Sequence, residues 1–186
     1  RSGGGGGGSG ARQKPLDASM RVVVLHGKET FLRQQYTRQV REALEAAHGA
    51  DSVEVIRLDG TTAEAADVLD ECRSMGLMTA HKLVLVDAAD EFLKVSDEEG
   101  GSSRRGSKTA RQLVESYCEA PSEGATLVLR ADTCRPGKVD KLVERVGAVV
   151  KCEALDEGRA ARWVTRRVGK EFGATLEPAA ARLLIT

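Results

Sequence analysis

A glycine and a lysine that directly follow a β-branched run stand where a phosphate-binding loop would be sought. The run is Arg21 to His26, and the pair is Gly27-Lys28. Such a loop needs Gly-x-x-x-x-Gly-Lys-Ser/Thr, because backbone amides must wrap the phosphates and a hydroxyl must hold magnesium. Here the first glycine position is Val22, and the hydroxyl position is Glu29, an anion where a triphosphate would sit. Gly27 therefore reads as a strand-to-helix turn. The other half of an ATPase site has the same fate. Leu83 to Val86 are four apolar residues followed by Asp87, the outline of a Walker B strand. In that motif the aspartate orients magnesium and a following glutamate activates water. The following residue here is Ala88. Asp87 then reads as a strand-end aspartate that caps the next turn. Both halves are recognisable and chemically empty, so no nucleotide, metal or other cofactor is expected.

No nucleophile-and-base set stands out. His26, His48 and His81 have no motif around them, and no Gly-x-Ser-x-Gly occurs. Acid pairs such as Asp90-Glu91 and Glu98-Glu99 lie in runs that read as solvated face or loop. Cys72, Cys118, Cys134 and Cys152 are far apart, with neither Cys-x-x-Cys nor zinc spacing to a histidine. They read as reduced, structural thiols of a cytoplasmic protein. Asp87, Asp132 and Thr133 sit at strand ends, where a small-molecule α/β enzyme would gather its polar groups. As turn residues they are more simply explained. No intrinsic catalytic site is expected.

One connection is harder to explain as structure alone. Ser74-Met75-Gly76-Leu77-Met78-Thr79-Ala80-His81 lies between the second helix and the third strand. Such loops are usually polar, yet this one carries Met75, Leu77 and Met78. An apolar pair there either folds back into the core or plugs a pocket on a partner, and the residues alone weigh these equally. Methionine, flexible and polarizable, suits the second role.

The elements that must position these residues follow from periodicity. Segments rich in β-branched and aliphatic residues at 21–26, 53–58, 82–86, 126–129 and 148–150 read as strands, the first and third of them buried. Helical spacing recurs at 31–47, where Leu32, Tyr36, Val40 and Leu44 fall every four residues. Further helices are expected from Thr62, as cap, to Arg73, and over 109–117 and 137–146. This alternation is that of an α/β domain with a mostly parallel sheet. After Glu153 it stops. Asp156 to Phe172 is helical, and Pro178 opens a helix at the position where proline is tolerated. That helix meets the end of the chain with no stop signal, so a small helical second domain, 154–186, is expected to be truncated. Gly3 to Gly8 form an unbroken glycine run, and residues 1–19 are expected to be a flexible leader. The polar stretch 94–108 is expected to be a disordered insert.

Composition narrows the partners. The 186 residues carry 28 Lys+Arg against 28 Asp+Glu, which argues against a dominant nucleic-acid or anionic-membrane surface. Aromatics at 3% argue against a base-stacking platform, while 41% hydrophobic residues suffice for a core. No apolar run reaches the roughly 20 residues that span a bilayer.

Several segments, in order, resemble one family. Val24 to Leu32 looks like the opening strand and Gly-x-Glu-x-Phe-Leu turn of the delta subunit of the bacterial DNA polymerase III clamp loader. Cys72 to Val86 looks like that family's Ser-Leu-Phe-x-x-Arg-Arg-Leu-Val segment. Ala148 to Cys152 is similar to the strand that closes its first domain. Arg162 to Arg167, followed by Leu176 to Leu184, is similar to the start of its second domain. The resemblance runs from Met20 to Thr186 and is broken only by the insert. It implies an AAA+-like, three-layer α/β domain over 20–153 without a working ATP site, then the start of a small α-helical lid. It implies a subunit of a DNA-directed DNA polymerase holoenzyme, a nucleotidyltransferase as an assembly, at work in DNA replication. The family's apolar Leu-Phe pair enters a pocket on the ring-shaped sliding clamp and helps spring the ring open. By position that pair is Leu77 and Met78, with Met75 and His81 as secondary candidates. Met78 replaces the aromatic, Gly76 the usual serine, and His81 a common arginine. The other implied partners are the remaining clamp-loader subunits, joined through a C-terminal domain absent here, and DNA within the assembly. A divergent nucleotide-binding AAA+ ATPase and a small-molecule α/β enzyme are the alternatives.

Overall fold

The computed structural model describes residues 15–76, 79–94, 108–133 and 137–184. The glycine run, the stretch 95–107, Cys134 and the pair Leu77-Met78 lie outside the described residues.

Five strands form one sheet: β1 (Val22–His26), β2 (Val53–Asp59), β3 (His81–Asp87), β4 (Ala125–Ala131) and β5 (Gly147–Lys151). Their order across the sheet is β2-β3-β4-β1-β5, and every pairing is parallel. Parallel strands need crossovers, and the helices supply them. α1 (Thr30–His48) joins β1 to β2, with a single 3-10 turn at Ala50–Ser52 before the strand. α2 (Ala65–Arg73) joins β2 to β3, and α3 (Ala89–Lys94) and α4 (Ala110–Glu119) lie between β3 and β4. α5 (Lys138–Val146) joins β4 to β5.

Alternation along the strands sorts the core into two layers. Val22, Val24, Val84, Val86, Leu127 and Leu129 face α2, α4 and α5, where Val68, Leu69, Cys72, Val114, Tyr117 and Val143 cover them. The intervening residues Val23, Leu25, Leu83, Leu85 and Val128 are equally buried on the opposite face. There α1 contributes Leu32, Val40 and Leu44. β1, β3 and β4 are buried on both faces, as their unbroken apolar runs require. β2 is an edge strand, and its exposed residues alternate with half-buried ones.

Three local expectations need correction. Thr62 does not cap α2. The cap position is Glu64, and the Thr62 N–H and hydroxyl both bond the Asp59 carbonyl in the turn after β2. α3 was not expected, because Ala89 to Lys94 makes fewer than two helical turns and directly follows the strand-end Asp87. Asp87 does not cap the turn that follows it; its carboxylate pairs with Arg130 of β4.

From Glu153 onward the chain forms a separate compact unit. It holds α6 (Glu157–Phe172), capped by the Asp156 carboxylate on the Arg159 amide, and α7 (Pro178–Leu183), with proline in its first turn. Trp163 is half-buried in this unit, with the Arg167 guanidinium 5.2 Å from its ring centre.

Candidate functional site

Parallel strands give the sheet two chemically different edges. The C-terminal edge collects the strand ends Gly27, Asp87 and Asp132. The N-terminal edge collects the connections that enter β2, β3 and β4.

At the C-terminal edge an open cleft of about 740 Å³ is lined by residues of α1, β2, α3 and the ends of β3 and β4. It lies near the point where the sheet order reverses beside β1, the usual place for a ligand in such sheets. Two ion pairs cross it. Arg130 Nη2 meets Asp87 Oδ2 at 2.6 Å, and Arg33 of α1 pairs with Asp132. The Arg130 side chain is 11% exposed, and its Nε has no hydrogen-bond partner. The aspartate that would orient magnesium in a Walker site is thus neutralised by a fixed guanidinium.

The turn after β1, which leads into the cleft-lining Thr30, is equally committed. Gly27 has φ +128°, a conformation that favours glycine. Its N–H bonds the Ala131 carbonyl at 3.1 Å, and the Glu29 N–H bonds the Cys152 carbonyl at 3.1 Å. A Cβ on Gly27 would fall far inside contact distance of that same carbonyl. The turn is therefore welded to the end of β5, and two of its amides are spent on main-chain oxygens. Lys28 is exposed. Just beyond Asp87, Ala88 holds φ +47°, a strained value for a residue with a Cβ.

The N-terminal edge carries the connection from α2 to β3. Met75 is 92% exposed. Leu77 and Met78, beside it in sequence, lie outside the described residues. His81 behaves differently from expectation: at 1% exposure it presents nothing to a partner. Its ring stacks on His48 with centroids 4.7 Å apart, and Nε2 lies 2.9 Å from Thr126 Oγ1. The Thr126 hydroxyl donates its only proton to the Met20 carbonyl at 2.9 Å. Nε2 must then carry the imidazole hydrogen, which leaves Nδ1 bare and without a partner. Burial first, then the nearby His48 and Arg21, push the His81 pKa down to about 4. His81 is a neutral core group that ties β3 to Thr126 of β4 and, through that hydroxyl, to Met20 ahead of β1.

The thiols of Cys72, Cys118 and Cys152 are buried and free, and burial pushes them up to about 12, 11 and 11. None is primed as a nucleophile. No cluster of three or more metal-ligating side chains occurs among the described residues. No described helix is long and apolar enough to cross a membrane.

Comparison with known proteins shows the family. The model of the family described as DNA polymerase III, delta subunit, matches residues 23–153. The chain belongs to that family. The match spans the sheet from Val23 onward, both ion pairs of the cleft and the α2–β3 connection. Among solved structures, the Bacillus subtilis DNA clamp loader delta protein (YqeN) is similar, with a TM-score of 0.63 at 20% identity over 88% of this chain. A Thermotoga maritima protein related to the DNA polymerase III gamma subunit gives 0.45 at 15% identity, over 89% of this chain and 54% of its own. Thermotoga maritima RuvB gives 0.41 at 11% identity, over 89% of this chain and 48% of its own. No curated protein matches. The chain spans 47% of the Bacillus delta protein. The fold is an AAA+-like α/β domain of the clamp-loader type. The sequence already showed Glu29 and Ala88 at the positions where a Walker site would carry a hydroxyl and a glutamate. It gave no signal of the pairs that fill their place, because Arg33 and Asp132 stand 99 positions apart.

Proposed function

We propose that this chain is the clamp-engaging part of a clamp-loader delta subunit and acts in DNA replication by gripping and opening the sliding clamp. The observation that carries the reading is the contrast between the two edges of a delta-family sheet. The C-terminal edge is crossed by Arg130–Asp87 and Arg33–Asp132, and the opposite edge exposes Met75, which Leu77 and Met78 follow in sequence.

In this reading Leu77 and Met78 enter an apolar pocket on the clamp, with Met75 beside them. Grip becomes opening only if the pocket fits better when the ring interface is sprung, since a ligand shifts an equilibrium by its preference for one state. ATP hydrolysis then belongs to other subunits, which join through parts of the protein beyond those described. The unit from Glu153 onward is the start of a lid domain, DNA is met within the assembly, and the protein works in the cytoplasm as part of a polymerase holoenzyme.

The test is the double variant Leu77→Ala/Met78→Ala, titrated against the purified sliding clamp of the same organism. Anchors in an interface pocket each contribute on the order of 1–2 kcal/mol, so the pair should weaken binding by about 30-fold or more. Unchanged affinity would refute the plug.

A further inference from the structure

α6 separates its cations from its apolar surface. At 3.6 residues per turn, Arg159, Arg162, Arg166 and Lys170 fall within an arc of about 80° around the helix. No acidic residue shares that arc; Glu157 and Glu171 stand toward the opposite side, with Val164 and Val168. All four cations are exposed. Arg159 meets Asp156 at 3.4 Å, in a pair open to solvent on both sides. Arg162, Arg166 and Lys170 make no ion pair with any described residue. Arg167, just outside the arc, is taken up by Glu171 at 2.9 Å and by the ring of Trp163.

A merely solvated helix face mixes its signs. α1 does so: Arg38 pairs with Glu42 and Arg41 with Glu45, each four residues on. On α6 the same spacing repeats one sign, from Arg162 to Arg166 to Lys170, and like charges at that spacing destabilise a helix. The helix dipole accounts for Lys170 in the last turn, but not for Arg162 and Arg166 in the middle. A chain whose charges cancel at 28 against 28 thus sets unpaired cations along one line. A polyanion laid along that line relieves the repulsion.

The shape of the line selects the polyanion. From Arg162 to Lys170 it advances about 12 Å, the axial length of three to four phosphates of one duplex strand at about 3.4 Å each. An anionic bilayer would need the apolar side of the same helix. That side is spent inside the unit: α7 packs on α6, Val164 and Val168 are half-buried, and Ala181 of α7 is fully buried. No aromatic residue stands among the four cations, so the line suits backbone contact and not base stacking.

We propose that Arg162, Arg166 and Lys170, with Arg159 at the head of the line, form a contact for the phosphate backbone of duplex DNA that does not depend on base sequence. The choice of DNA as the duplex rests on the function proposed above.

The full chain is titrated into a fluorescein-labelled DNA duplex of about 20 base pairs, read by anisotropy between about 50 and about 200 mM salt. Arg162→Gln/Arg166→Gln/Lys170→Gln is compared with Lys138→Gln/Lys141→Gln/Arg145→Gln, which removes the same charge from exposed positions of α5. Glutamine is a good helix former, and equal denaturant midpoints would show that the fold is kept. Each phosphate contact contributes about −0.9 to the slope of log affinity against log salt, so the α6 variant should lose about 3 from the parent's slope. Its affinity at the lowest salt should fall tenfold or more, on the order expected for a surface held by charge. The α5 variant should stay within about threefold of the parent, and so should Arg162→Lys/Arg166→Lys, which keeps the charges. An α6 variant that binds like the parent, an α5 variant that loses as much, or a parent that binds no duplex overturns the proposal. Clamp affinity is measured on the same samples, and the α6 variant should keep it. A parent that binds duplex but no clamp refutes the clamp reading alone, and one that binds clamp but no duplex overturns the α6 contact alone.

Discussion

Lowering the pH should unlock His81. The folded protein holds this ring neutral, stacked on His48, with Nδ1 bare and buried. An unfolded chain protonates it near 6.5 and the folded protein only near about 4. Between those values the unfolded state carries more protons, so stability rises with pH. The contribution of His81 is complete above about pH 6.5 and is lost as the pH falls toward 4. A gap of about 2.5 pH units at about 1.4 kcal/mol each gives about 3–4 kcal/mol. Solvent beside the exposed His48 screens part of this and leaves about 2 kcal/mol. Asp59 is held low by bonds from the Thr61 amide and hydroxyl, and Glu71 by its bond to Lys82, so these carboxylates contribute only toward the acid end of the window. Urea midpoints at pH 7, 6, 5 and 4.5, with an unchanged slope, would measure the loss. His81→Gln keeps a donor for Thr126 and does not titrate, so its midpoint should stay nearly level over the same range. A parent protein equally stable at pH 7 and 4.5, or a variant that falls as steeply as the parent, would refute the assignment.

Gly27→Ala forces φ +128° on a residue with a Cβ and drives that atom into the Cys152 carbonyl; a loss of about 3 kcal/mol is expected from denaturant unfolding. Asp87→Ala strips the counter-charge from the nearly buried Arg130 and should cost about 2 kcal/mol. A second change, Arg130→Met, should recover part of that loss, which a double-mutant cycle would show. Thr109→Ala removes a capping box in which Thr109 Oγ1 accepts from the Gln112 amide while the Gln112 side chain accepts from the Thr109 amide, and about 1 kcal/mol should go with it.

The sheet was legible because its strands are parallel and doubly covered. Val22 to Leu25 and Leu83 to Val86 must be apolar at every position, and such runs stand out without any alignment. Helix starts were legible where a capping side chain, a glycine or a proline marks them. Thr109 and Asp156 were placed at or beside their caps, whereas the cap position of α2, Glu64, makes no side-chain bond to announce it. The site residues divide by contact distance along the chain. Gly27, Glu29 and Ala88 could be judged against a motif of adjacent positions. Arg130 could not, because its partner Asp87 is 43 positions away, and neither residue is unusual by itself. His81 is the sharpest case. It stands at the mouth of an apolar run, where a polar residue reads as a stem open to a partner. Only the folded chain brings Thr126, 45 positions on, to its ring.

The cancelled charges acquire a location once these pairs are known. Arg33 and Arg130 would form a basic cleft at the strand ends if their partners were alanine, and a basic cleft at that place would attract phosphate. Asp132 and Asp87 neutralise them one for one. The amides that would complete a phosphate cradle bond Ala131 and Cys152 instead. Here the same strand ends are bridged from β3 to β4 and from α1 to β4, which stiffens the edge. β3 runs from the Asp87–Arg130 pair at its end to the Lys82–Glu71 pair at its start, so both of its ends carry ion pairs contributed by the strand itself.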